Sequence, residues 1–195
     1  MAIASAYLDP VHETQRAFRA AMNAFARPGT IQSVAGLAEA PRPLEPVAAA
    51  VLLALVDFET SLYLDPAAAT PETRAYLTFH SGARLTEDPS KANFALIADP
   101  QALGDLSSFA LGTDAYPDRS TTLVLQVAAL GTGRSYRLEG PGIKGTATLA
   151  ANGLPAGLTA ELAANHALFP RGVDLVLAGP AGIAALPRTT RISEA

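Results

Sequence analysis

The pattern of apolar and polar positions changes period several times along the chain. Val11, Phe18, Met22 and Phe25 recur at helical spacing, and His12, Glu13, Arg16 and Arg19 fall on the opposite face. Asp9 precedes this stretch as an N-cap with Pro10 at the first helical position, and Pro28-Gly29 ends it. The spacing predicts an amphipathic helix of about four turns. Residues 30–34 read as a short strand and residues 38–46 as a Pro-rich loop. Residues 47–56 are apolar all round, the mark of a buried helix. Residues 61–64 (Ser-Leu-Tyr-Leu) predict a strand, and Pro71-Glu72 opens a short helix that ends before Ser81-Gly82. Residues 93–98 form a strand closed by Asp99-Pro100, and a short helix is expected over 101–109. The strongest strand covers 121–128, where β-branched and apolar residues run almost without interruption, as in strands buried on both faces.

Further on, residues 134–139 predict a strand that leads into the turn Gly140-Pro141-Gly142. Residues 157–166 read as a helix, and strands near 172–178 and 183–188 flank Gly179-Pro180-Ala181-Gly182. Alternating helices and buried strands predict an α/β fold, a three-layer sandwich with a mixed sheet. No fixed-period repeat occurs, and no linker is long or polar enough to divide the chain, so one domain is expected over residues 1–195. In the strand near 172–178, Asp174 shares a face with Val176, where a carboxylate needs a partner. The following turn can bring Arg188 back towards it. A tight four-residue loop would set Asp174 opposite Pro187, and a loop one residue longer would set it opposite Arg188. Either an ion pair with Arg188 or backbone N–H donors from a loop would satisfy the carboxylate.

Composition sharpens this picture. The hydrophobic fraction is 49% and the charged fraction only 16%, which argues for a packed core and for apolar surface covered by another subunit. A homodimer is therefore expected for the chain alone. The net charge is −4, with basic residues scattered, so nucleic-acid binding is not expected. The chain has no cysteine, which excludes disulfides, thiolate zinc sites and a cysteine nucleophile. No basic residue precedes Arg16, so a secretory leader is not expected, and no apolar run is long enough for a membrane span. These features fit a cytoplasmic protein.

Candidate chemistry is sparse. Gly131-Thr132-Gly133 and Gly140-Pro141-Gly142 match neither phosphate-loop nor dinucleotide patterns. The second reads as a turn, with a phosphate-binding nest as the other possibility. Gly29, Gly140 and Gly142 are expected to serve the backbone, and Asp174 the interior. His12, His80 and His166 lack the local spacing of a metal site, and no metal is expected. No Gly-x-Ser-x-Gly elbow occurs. The only lysines, Lys91 and Lys144, sit in polar or turn settings unsuited to Schiff-base chemistry, so no pyridoxal phosphate is expected. Arg27 and Arg188 stand beside proline on stiff backbone and could bind an anion or make structural pairs. His80 ends an element before Ser81-Gly82. If a ligand cleft exists, Arg27, His80 and Arg188 are its candidates. No catalytic residue is identified.

Several blocks then fall into one order: Asp9-Pro10-Val11-His12, Ala26-Arg27-Pro28-Gly29-Thr30, Leu77-Thr78-Phe79-His80-Ser81-Gly82, Leu138-Glu139-Gly140-Pro141-Gly142-Ile143, Phe169-Pro170-Arg171-Gly172 and Leu186-Pro187-Arg188-Thr189-Thr190. Across its whole length the chain resembles the PhnH family, the H subunits of the bacterial carbon–phosphorus lyase core complex. The resemblance implies the architecture of pyridoxal-phosphate-dependent transferases without the cofactor site. It also implies a required subunit in phosphonate catabolism, assembled with G, I and J subunits. That complex supports attachment of an alkylphosphonate to the ribose C1 of ATP, with adenine leaving. The family supplies no catalytic residue to carry over. The competing readings are a stand-alone small-molecule enzyme and a phosphonate- or nucleotide-binding module.

Overall fold

The computed structural model describes residues 9–35, 37 and 40–195. Ala38 and Glu39 of the expected Pro-rich loop, and the segment before Asp9 that bears on a leader, lie outside them. Helix α1 spans Pro10–Ala26, and the Asp9 carboxylate caps it by accepting from the His12 backbone N–H at 3.3 Å and from His12 Nδ1 at 2.8 Å. Its buried face is not the one the large apolar residues predict. Ala17, Ala20, Ala21 and Ala24 are buried, whereas Val11, Phe18 and Met22 are 76%, 47% and 54% exposed. The reason is spacing. α1 lies against helix α2 (Pro46–Leu55) and strand β8 (Gly182–Leu186), and only methyl side chains allow backbones to approach that closely. α2 is buried from Val47 to Leu52, as its uniform apolarity predicts.

The main sheet has six strands in the order β2-β1-β3-β4-β7-β8. They are β1 (Ser61–Leu64), β2 (Arg84–Thr86), β3 (Phe94–Ile97), β4 (Thr122–Gln126), β7 (Asp174–Gly179) and β8. All neighbours are parallel except β7 and β8, which form an antiparallel hairpin, so the sheet is mixed. Its two faces carry alternate residues of the central strands, the period-2 rule in a sheet covered on both sides. Val124, Val176, Ile183 and Ala185 pack towards α1, α2 and helix α3 (Pro71–Ser81). Leu123, Leu125, Leu175, Leu177 and Leu186 pack towards the other side. Each fully buried leucine there contributes roughly 1.5–3 kcal/mol.

The second outer layer is not purely helical. It combines helix α4 (Leu158–Ala167) with a three-stranded antiparallel sheet in the order β6-β5-β9. Its strands are β5 (Ala129–Glu139), β6 (Ala147–Asn152) and β9 (Arg191–Glu194). Tyr136, Leu138, Leu149 and Ala151 turn inward from this sheet onto the main core. The remaining differences from expectation are local. The strand expected over 30–34 is a single bridge from Gln32 to Ile183. The helix expected over 101–109 is two 3-10 turns, Pro100–Ala102 and Leu106–Ser108. Gln32 bonds Ile183 in both directions, and Gly182 lies so close that a Cβ there would meet the Gln32 carbonyl.

Candidate functional site

Open α/β sheets hold ligands in the crevice outside the carboxyl ends of their parallel strands. A cleft of about 810 Å³ occupies this end of β3, β4 and β7. Ala98, Gln126, Val127, Ala128, Ala178, Gly179 and Pro180 supply its sheet side, and Arg42, Pro43, Glu45, Pro46 and Val47 the opposing wall. Gln126, the last residue of β4, is 8% exposed and fixes that wall. Its Oε1 accepts from the Glu45 backbone N–H at 2.7 Å, and its Nε2 donates to the Pro43 carbonyl at 3.0 Å. The loop leading into α2 is thereby tied to the centre of the sheet. Arg42 and Glu45 form an ion pair at the rim.

Next to this cleft, at the end of β1, Asp65 is buried and wholly engaged. Its Oδ1 accepts from Ala68 N–H at 2.8 Å, and its Oδ2 accepts from Asp99 N–H at 2.9 Å. It locks together the loops that follow β1 and β3. The cleft lining holds no lysine, and its one carboxylate, Glu45, is already paired. Lys91 is 76% exposed and pairs with Asp88 at 3.1 Å, and Lys144 is exposed in the turn after β5. Among the described residues no group of three His, Asp or Glu is placed to hold a metal, and no helix is long and apolar enough to cross a membrane.

The residues singled out from sequence lie elsewhere, towards the end where the parallel strands begin. Arg27 is the exposed C-cap of α1. His80 is in the last turn of α3, against Tyr76 and Phe79 with ring centroids at 4.5 and 5.0 Å. Arg188 is turned inward. Its Nε and a terminal amine grip Asp174, at 3.2 and 2.5 Å, and its other amine donates to the Pro117 carbonyl at 2.8 Å. Ser120 Oγ accepts from the same amine that grips Asp174. The guanidinium is therefore committed to the protein, and none of Arg27, His80 and Arg188 lines the 810 Å³ cleft. The β7–β8 register is the tight one, Leu175 opposite Leu186, which sets Asp174 across from Pro187. The ion pair forms nonetheless, because the chain turns at Pro187 and brings the Arg188 backbone N–H to Asp174 Oδ1 at 2.7 Å.

Gly29, Gly140 and Gly142 all have positive φ. At Gly142 a Cβ would collide with the Ala26 carbonyl, which holds the turn after β5 against the end of α1. Gln126, Arg42 and Glu45 were missed from sequence. Gln126 carried a usable signal, being the one amide at the end of an otherwise apolar strand.

Comparison with known proteins places these features in a lineage. The family described as bacterial phosphonate metabolism protein (PhnH) matches residues 5–193. The chain is 43% identical, over 96% of its length and 94% of the relative's, to the PhnH subunit of alpha-D-ribose 1-methylphosphonate 5-triphosphate synthase from Rhizobium meliloti (strain 1021). It is 35% identical, over 92% of its length and 85% of the relative's, to HtxG of Stutzerimonas stutzeri, provisionally assigned as a C-P lyase subunit protein.

Proposed function

The chain belongs to the bacterial phosphonate metabolism family PhnH, and from that membership we propose that it is a non-catalytic, partner-dependent subunit of a carbon–phosphorus lyase assembly. In this role it supports the joining of an alkylphosphonate to the ribose C1 of ATP, with adenine leaving. The observation that carries the reading is the match across nearly the whole chain to a named synthase subunit.

A subunit of this kind needs surfaces for its partners. The exposed apolar side chains of Val11, Phe18 and Met22 lie on one face of α1, and a solvated face of that kind is unusual without a partner. We assign this face to contact with neighbouring chains: a second copy when the protein is alone, and G, I or J subunits in the assembly. The kinship with the pyridoxal-phosphate transferase architecture, without its cofactor, and a cytoplasmic location belong to the same reading. The test is deletion of this chain in its host, followed by growth on methylphosphonate as sole phosphorus source. Growth should cease and return with the gene, and a tagged copy should carry the other subunits through purification. Undiminished growth after deletion would overturn the assignment.

A further inference from the structure

A smaller recess lies away from the cleft, where β5 ends, and we propose that it binds a small dianionic tetrahedral oxyanion bearing an apolar group. The recess measures about 290 Å³ and is lined by Gly140, Pro141, His166, Phe169, Thr189 and Arg191. The charge pattern around it is unbalanced. Arg191 stands directly across from Glu139 in the β5–β9 pairing, where an ion pair would ordinarily form. Glu139 is already engaged by Arg137 at 2.8 Å. Glu194, on the same short strand, is taken by Arg134 at 3.2 Å, and Asp174 by Arg188. Among the described residues Arg191 is left in no ion pair, and its terminal amines have no hydrogen bond.

His166 holds this guanidinium in place. The imidazole Nδ1 faces the Arg188 carbonyl at 2.9 Å, and a carbonyl can only accept, so Nδ1 carries the proton. In that tautomer Nε2 has a lone pair, which accepts from Arg191 Nε at 3.4 Å. Arg191 is thus oriented through one nitrogen, with its two amines available in the fork that matches an oxyanion. His166 acts as a positioning residue here. Two more cations flank the same turn: Arg27 follows Ala26, whose carbonyl borders Gly142, and Lys144 lies just beyond. Neither is in an ion pair among the described residues. Three unbalanced positive charges in a chain of net charge −4 favour a dianion over a monocarboxylate. The other half of the recess is apolar. Phe169 presents a ring that is 60% exposed, beside Pro141, and this surface suits a small hydrocarbon group on the anion.

Two sources share this chemistry, organic phosphonates and phosphate monoesters, and titration of the full chain separates them. Phenylphosphonate, phenyl phosphate, inorganic phosphate and benzoate are each followed by calorimetry and by the His166 ring signals in NMR. We expect saturable millimolar binding of both phenyl dianions, about tenfold weaker binding of phosphate, and weaker binding still of benzoate. A preference between the phenyl compounds identifies the source. Arg191→Gln, at an exposed position, should weaken binding about tenfold or more without changing the urea midpoint. Phe169→Ala should bring the phenyl compounds down to the level of phosphate. Arg42→Gln, in the large cleft, should change nothing. The proposal is wrong if no probe saturates, if Arg191→Gln binds as tightly as the parent, or if Arg42→Gln abolishes binding.

Discussion

Removing the Arg188 side chain would leave Asp174 with the backbone N–H of residue 188 as its remaining donor, in a setting where the two side chains are only 13% and 19% exposed. Loss of one member of such a pair costs about 3–5 kcal/mol, and the retained N–H places Arg188→Ala near the lower figure. Urea unfolding of Arg188→Ala, Asp174→Asn and the double variant should show strong coupling, and a cost below about 1 kcal/mol would mean that the pair is solvated after all. Asp9 gives a pH prediction. Hydrogen bonds from the His12 side chain, then from the His12 backbone, hold its carboxyl below the usual range. A carboxyl lowered in the folded state contributes fully above its unfolded value and loses that contribution as pH falls through the folded one. In acid, amide exchange should therefore rise first at the start of α1, around His12 and Glu13. If α1 exchanges uniformly along its length, the cap is not the weak point. The chemistry of Asp174 was legible in the sequence as a carboxylate on an apolar strand face. Its partner's geometry was not, because that depends on how the chain bends at Pro187, outside any strand register.

At the scale of elements, α1 inverts the usual expectation about which residues matter. Phe18→Ala removes a large side chain that is half in solvent, and surface changes of that kind usually fall within about 0.5 kcal/mol. Ala21→Leu adds bulk at a position 1% exposed, on the alanine face against α2 and β8, and overpacking typically costs about 1–3 kcal/mol. Denaturation midpoints of the two variants decide it, and a larger loss from Phe18→Ala would refute this orientation of the helix. The periodicity of Val11, Phe18 and Met22 revealed that a helix exists, and Asp9-Pro10 and Pro28-Gly29 revealed where it begins and ends. It misjudged the inner face because hydrophobicity favours the larger side chain, whereas close helix packing favours the smaller. The strands that escaped notice failed for similar physical reasons. β6 is rich in alanine, β9 is mostly polar and β2 has three residues, so none carries a β-branched apolar run. β1, β3 and β4 do carry apolar runs, and their positions followed from the sequence.

For the whole molecule, the exposed face of α1 should matter to assembly far more than to folding. We expect Phe18→Glu combined with Met22→Glu to leave the thermal midpoint of the isolated chain within a few degrees and to lower its recovery with partner subunits. It should also shift the light-scattering mass of the isolated chain towards that of a monomer. If association is unchanged, the contact surface lies elsewhere. The sequence candidates for ligand binding belong to this scale too. Arg27, His80 and Arg188 share stiff or glycine-flanked backbone, a local property, whereas a site requires loops that converge at one end of the sheet. The cleft instead gathers ordinary residues that follow β3, β4 and β7, and only the strand order brings them together.

The pairing of β4 with β7 also has a kinetic consequence. These two strands are interior neighbours in the sheet, with Thr122 to Gln126 aligned on Asp174 to Ala178, yet residues 127–173 separate them in the chain. That excursion includes β5, β6 and α4, which bury their apolar sides largely against the very leucines of β4 and β7. Closing the loop costs entropy before any of those contacts can offset it, and the excursion has little to pack on until the strands meet. This pair and its covering layer are therefore expected to condense together. The β7–β8 hairpin, whose partners are adjacent in sequence, can form early and offer an edge on which β4 docks. Refolding is accordingly expected on a scale of milliseconds to seconds, set by non-local closures of this kind rather than by the helices.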